Sequence, residues 1–330
     1  MIKQTVRRLT RLYCDSDNKW LTVPVTVAAL FVLLVLVKSC QGMVYYHSDE
    51  CKIYRLGYPI DQARALTAAL PQQQARTFIA NNEHDSIAYP LLNRRYFIAN
   101  NFNRYLAYHK MDTTGTALDI IIALVNTGRD LDRETSAVPC DTTRGPLMLV
   151  NGRHYLDESY KPAHLVTFSK NYSYEEQKAQ RVVVDAFMAM QQACKEHTDA
   201  QLMVNSAYRS YHDQQGTYNR SEKGYAARPG SSEHQTGYAI DVTSRQHPMR
   251  WPFDKSVECA WMHEHCHEYG FILRYPKRQS QTFGFAYEPW HLRYVGKEAA
   301  RLIHDEDITF DEYYAYYIDA HDPHAEPQKR

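Results

Sequence analysis

The chain has 330 residues, enough for two modest domains with appendages. Lys and Arg together number 38 and Asp and Glu 38, so the balance indicates neither a basic nucleic-acid surface nor an acidic tail. Tyr is common, at 26 against 11 Phe, which suits carbohydrate or peptide grooves and ordinary half-buried positions alike.

The first element is the uncharged run "LTVPVTVAALFVLLVLV", Leu21 to Val37, bracketed by Lys19 and Lys38. At helical rise it spans roughly 25 Å, enough for a bilayer core when flanking side chains snorkel. Lys3, Arg7, Arg8, Arg11 and Lys19 precede it. The positive-inside rule then puts residues 1–20 in the cytoplasm, a single-pass anchor at 21–38, and the rest outside. A cleavable signal is the alternative, given Val37 and Ser39, but the apolar core and the N-terminal region are both long for one. Of the 7 cysteines, Cys51, Cys140, Cys194, Cys259 and Cys266 follow the anchor with no C-x-x-C pair. A Cys51–Cys140 bridge would cross-link the membrane-proximal region. Cys259 and Cys266 lie two helical turns apart, about 10 Å, too far to bridge each other.

Residues 39–55 read as a polar linker. Residues 56–135 read as a helical spacer or positioning region, with apolar residues at three- and four-residue spacing in "DQARALTAALPQQQARTFIANN" and "RRYFIANNFNRYLAYHK" and breaks at Pro71 and Pro90. "ALDIIIALVNTG" is a short apolar helix or strand ending at Gly128.

From 137 to 330 the pattern changes. "PLMLVNGRHYLDESY" reads as strand and turn, and "SYEEQKAQRVVVDAFMAMQQACKEH" as a helix. For that helix Ser173 and Glu176 suggest a capping box, with Val182, Val183, Ala186, Phe187, Met190, Ala193 and Cys194 as its apolar stripe. "AQLMVNSAY", "GYAIDVT", "FILRY" and "HLRYV" read as strands, and "HDQQGTYNR" and "KSVECAWMHEHCHEY" as helices. Two further helices open at Gly296-Lys297 and Thr309-x-x-Glu312. Strands mixed irregularly with helices predict an α+β fold with a small, mostly antiparallel central sheet.

One of those helices carries His263-Glu264-x-x-His267, the spacing of a large class of zinc proteases. Its continuation would want a histidine where Leu273 stands, and strands occupy the place of a further ligand helix. Val257, Cys259 and Trp261 are needed for packing, so some of its histidines read as surface polar residues, and His263→Ala is expected to leave metal and activity near the parent's.

Three other pieces concentrate chemistry. In "SAYRSYHDQ" Arg209 leaves a strand end. In "RPGSSEHQTGYAIDV" His234 precedes Gly237, and Asp241 falls in the following strand. Alternation puts Tyr238, Ile240 and Val242 on one face and Ala239, Asp241 and Thr243 on the other. A carboxylate in such a strand needs a partner, since unpaired burial costs several kcal/mol; an arginine or a metal would serve. In "YEPWHLRYVG" Pro289 forces Glu288 out of helical conformation, so Glu288 and His291 bracket a bend. Each piece has an ordinary reading, as a turn histidine, a chance E-x-x-H or a solvated arginine. Together, two histidines and an aspartate form a zinc set with a free position for water. Glu288 then has the chemistry of a general base and Arg209 that of an oxyanion stabiliser.

"SAYRSYHDQ", "ARPGSSEHQTGYAIDV", "YGFILRYP" and "YEPWHLRYVG" resemble, in order and spacing, the VanY family of D-alanyl-D-alanine carboxypeptidases, over about Pro146 to Gly296. The resemblance implies one zinc ion per chain on His234, Asp241 and His291, Glu288 as catalytic base and Arg209 polarising the carbonyl. It also implies that Ser232, and less directly Gln214, bind substrate. The implied fold is a central antiparallel sheet with packed helices, and the implied substrate a peptidoglycan stem peptide cut at D-Ala-D-Ala. Removal of a residue from a tetrapeptide by L,D cleavage, or wall binding without catalysis, are the alternatives.

Overall fold

The computed structural model describes residues 19–131, 133–221, 226–277 and 285–321. Lys3, Arg7, Arg8 and Arg11, which carry the orientation argument, lie outside them. By compactness the chain divides into two units, Met1–Leu106 and Ala107–Arg330.

In the first unit the apolar run lies in α1 (Lys19–Tyr46), whose Val27–Tyr46 stretch has a mean hydropathy of 2.1 and is not buried inside the protein. Among the described residues it is the one helix long and apolar enough to cross a membrane. The expected linker at 39–55 is helical instead: α1 runs on through Lys38, and α2 (Asp49–Arg55) follows directly. The Ser48 hydroxyl accepts a hydrogen bond from the Cys51 N–H, and Asp49 and Glu50 complement the positive end of the helix dipole. Next come α3 (Ile60–Ala69), α4 (Gln72–Ala80), α5 (Ala88–Leu91) and α6 (Phe102–Met111). Pro71 is the N-cap of α4, but Pro90 is no break: it sits in the first turn of α5, where the missing N–H costs no helical bond. Leu66, Phe78, Leu91, Phe102 and Tyr105 are fully buried, each worth roughly 1.5–3 kcal/mol relative to exposure.

The second unit takes "DIIIALVN" as helix α7 (Leu118–Asn126), burying Ile121, Ile122 and Val125. Two small ladders follow, β1 (Val138–Pro139) parallel to β2 (His154–Tyr155) and β3 (Leu165–Thr167) antiparallel to β4 (Lys178–Gln180). The ladder displaces the expected helix start. Ser173 bridges to Val204, Glu176 pairs with Lys178 at 2.9 Å, and α8 (Arg181–Thr198) begins only after Gln180. Strand pairing of 178–180 therefore overrides the Ser173 capping box. Val183, Phe187, Met190 and Cys194 form the buried stripe, whereas Val182 is 47% exposed.

The central sheet contains β5 (Leu202–Ser206), β6 (Ala239–Ser244), β7 (Phe271–Leu273) and β8 (His291–Tyr294) in the order β5-β6-β8-β7, antiparallel throughout. The α+β expectation holds. One sheet face, with Val204, Ile240, Val242, Phe271 and Leu292, packs in one core with Phe187 and Met190 of α8 and Met262 of α11 (Val257–His265). Val257 itself is 69% exposed and does not help to pack that helix. Helices α9 (Tyr211–Arg220) and α10 (Arg250–Asp254) flank the opposite ends of the segment holding β6. Helix α12 (Lys297–Glu306) and α13 (Phe310–Tyr313) follow β8, the latter opened by the anticipated Thr309–Glu312 capping box. Cys51 and Cys140 are free, as are Cys194, Cys259 and Cys266.

Candidate active site

Strand register sets the first two groups. Asp241 on β6 pairs directly with His291 on β8, so both side chains leave the same face of the sheet while Ile240 and Leu292 enter the core. His291 Nδ1 lies 3.2 Å from Asp241 Oδ1. His234 comes from the 3₁₀ turn Glu233–Thr236 that leads into β6. Gly237 closes that turn at φ +73°, in the left-handed region that favours glycine. His234 Nδ1 is 2.6 Å from the Ala207 carbonyl, which fixes the proton there and leaves Nε2 as a lone pair, 3.5 Å from Asp241 Oδ1.

All three side chains are buried, and their ligand atoms lie within 4.8 Å of one another. Asp241 Oδ1 is buried yet receives no well-aligned hydrogen bond. Two ring nitrogens converging at 3.2 and 3.5 Å match the spacing of neighbouring ligands around a tetrahedral ion with bonds near 2.0 Å, about 3.3 Å. The donor set therefore fits a divalent zinc-type ion. Burial opposes charge on His291, but the neighbouring carboxylates, Asp241 first and then Glu233, raise it to about 9. Burial, then Arg209, pushes His234 down to about 4. Asp241 stays well below its usual range because the imidazoles, His234 first, outweigh its burial.

Glu288 is the fourth group. Its Oε2 stands 3.6 Å from His291 Nδ1, and its backbone N–H donates to the Tyr275 carbonyl, which holds the bend before β8. Burial raises it to about 7, with His291 pulling the other way. A carboxyl near neutrality beside a metal-ligand set is suited to taking and returning a proton. The Arg209 N–H donates to the His234 carbonyl, and its buried Nε has no hydrogen-bond partner. Burial lowers its pKa, and Asp241 and Glu288 are among the charges acting on it. Arg250, which the sequence reading did not single out, places Nη2 3.8 Å from Asp241 Oδ2 and its guanidinium over the Trp290 ring.

The remaining expected residues are less direct. Ser232 is buried at the start of the 3₁₀ turn and makes no side-chain capping bond. Gln214, on α9, donates from Nε2 to the Ala227 carbonyl at 2.7 Å and leaves its buried Oε1 without a hydrogen-bond partner. Helix α9 opens with a Ser210–Asp213 capping box that went unread within "SAYRSYHDQ".

His263 and His267 join no metal group among the described residues. His267 stacks on His304 at 3.7 Å. His263 is not a free surface residue, however. Its Nε2 lies 2.8 Å from the Pro289 carbonyl and 3.5 Å from Cys259 Sγ, so it braces the turn between Glu288 and His291. The reading of His263 as a surface polar residue is corrected by that bond.

Sequence reasoning also missed a buried ionic group. Glu233 Oε1 accepts from Arg274 Nε at 2.8 Å and lies 3.1 Å from Arg293 Nη1, while Arg274 Nη2 meets Asp311 Oδ2 at 2.7 Å. All four side chains are 0–5% exposed. Arg293 on β8 and Arg274 directly after β7 are, like Asp241, charges in apolar strand segments, so the sequence carries a signal for both. Nothing local marks Asp311.

A sequence profile of the VanY family, described as D-alanyl-D-alanine carboxypeptidase, matches residues 176–297. The putative carboxypeptidase YodJ of Bacillus subtilis (strain 168) is 38% identical over 182 residues, 51% of this chain and 66% of the relative. The bifunctional D-Ala-D-Ala dipeptidase and D-Ala-D-Ala carboxypeptidase VanXYC of Enterococcus gallinarum is 34% identical over 184 residues, 52% of this chain and 94% of the relative. The solved structure of the LdcB LD-carboxypeptidase is similar with a TM-score of 0.51 and 35% identity, covering 55% of this chain and 90% of that one. Against the Bacillus relative, the chain spans just under two thirds of the relative's length.

Proposed function

Because the chain belongs to the VanY family of D-alanyl-D-alanine carboxypeptidases, we propose that it is a membrane-anchored, extracytoplasmic zinc D,D-carboxypeptidase that removes the terminal D-alanine from peptidoglycan stem peptides. The observation that carries this reading is the convergence of His234, Asp241 and His291 beside Glu288. In the proposed layout residues 1–20 are cytoplasmic, 21–38 anchor the chain, 39–55 lead outward, 56–135 position the enzyme and 137–330 are catalytic. No nucleic acid enters the scheme.

His234 Nε2, Asp241 and His291 Nδ1 would hold one zinc ion, which supplies Lewis acidity toward the scissile carbonyl and acidifies the attacking water. Glu288 takes that water's proton on its carboxylate and later delivers it to the leaving amine nitrogen, so its nearness to neutral pKa serves both directions. Arg209, with a buried and unbonded Nε, faces the negative charge that develops on the carbonyl oxygen. Ser232 and neighbouring polar groups hold the substrate's free terminal carboxylate, which restricts the enzyme to chain ends, and Gln214, whose buried Oε1 is an open acceptor, contributes to substrate binding.

The likeness to the LD-carboxypeptidase structure favours a second reading, L,D cleavage of tetrapeptide stems by the same groups. Incubating the purified protein and zinc with pentapeptide and with tetrapeptide, and weighing the products, separates the two. Loss of one D-alanine from the pentapeptide is expected. Loss from the tetrapeptide alone would favour the second reading, and peptide binding without any cleavage would leave only a wall-binding module.

A further inference from the structure

Glu233 is next to His234 in sequence, but its carboxylate serves the other imidazole. Glu233 Oε2 lies 3.4 Å from His291 Nε2, on the opposite side of the ring from the Nδ1 that meets Asp241. For Nδ1 to offer a lone pair, the proton must sit on Nε2, and Glu233 is the acceptor placed to keep it there. Its other oxygen is held by both arginines. Arg274 is held in turn by Asp311, whose Oδ1 accepts from Asn151 Nδ2 at 2.7 Å. Arg293 Nη2 donates to the Pro146 and Met148 carbonyls at 2.9 and 2.7 Å. Two guanidinium groups and two carboxylates thus neutralise one another in the interior, where loss of one partner strands a charge.

Resting on the zinc reading above, we propose that Glu233, Arg274 and Asp311 form a positioning relay for the metal ligand His291. The helix α13 that supplies Asp311 then belongs to the metal site, although it lies beyond the segment matched by the family profile. A purely structural ion group would have no need to turn one Glu233 oxygen toward the ligand ring. The relay fixes the ring's tautomer and plane, so it acts on how tightly the metal is held more than on the proton transfers at Glu288.

The test compares zinc affinity in the full chain and in the variants E233Q and D311N, by competition with a chromogenic chelator, alongside melting temperature and kcat at limiting and saturating zinc. E233Q is expected to weaken zinc binding by about 10- to 100-fold and D311N by a smaller factor, about threefold or more, with kcat largely recovered at saturating zinc in both. D311N keeps the shape and the Asn151 bond, so it decides the matter if E233Q does not fold. Parent-like zinc affinity in the folded variants, or a loss of kcat that saturating zinc does not restore, overturns the relay while leaving the enzyme reading intact. A parent chain that binds no zinc overturns that reading, and the relay with it.

Discussion

Asp241 and His291 are direct cross-strand partners on β6 and β8, and this pairing alone brings carboxylate Oδ1 and ring Nδ1 to 3.2 Å. Their neighbours Ile240 and Leu292 are fully buried on the other face. The hydrophobic core therefore sets the register that places two of the three candidate metal ligands, because a one-residue slip would carry one partner to the wrong face.

Removing a ligand should remove the metal. His234→Ala and Asp241→Asn are each expected to lose zinc and turnover together, as read by elemental analysis after dialysis and by peptide hydrolysis. Full metal content in either variant would mean that the ion sits elsewhere.

Glu288 should separate binding from chemistry. It stands beside the set without completing it, so Glu288→Gln is expected to keep zinc and lose about 10²- to 10⁴-fold in kcat. Turnover at the parent's rate in that variant would remove Glu288 from the mechanism.

His263→Ala tests the brace on the catalytic turn. The lost hydrogen bond to the Pro289 carbonyl should cost about 1 kcal/mol of stability and lower kcat severalfold with zinc retained. A variant that bound less zinc in proportion to its lost activity would point back to His263-Glu264-x-x-His267 as a metal motif.

A pH dependence of stability arises at His154, beside Asn151. Burial, reinforced by Arg153, lowers His154 to about 4 from an ordinary 6.5. The unfolded chain then binds a proton there that the folded chain refuses between these values, so stability rises with pH across the window. Melting temperature is expected to fall as pH drops from 6.5 toward 4, and less steeply in His154→Gln. An identical slope in the variant would assign the dependence to other groups.

The sequence by itself determined the elements and the chemistry they carry. An uncharged run flanked by lysines, alternation around Ile240 and Val242, and Thr309-x-x-Glu312 are local signals, because helix caps, strand faces and bilayer-length runs depend on neighbours in the chain. Of the site residues only Asp241, a carboxylate in an apolar strand, is anomalous where it stands; the others are ordinary singly and legible through the order and spacing of their segments. Only the tertiary structure decided where α8 begins, since β3 captures residues that otherwise resemble a helix start. It alone gave His263 a partner 26 residues away and joined Glu233 through Arg274 to Asp311. Those bonds follow from a buried charge or donor seeking any partner within reach, and what is within reach is fixed by packing rather than by sequence spacing.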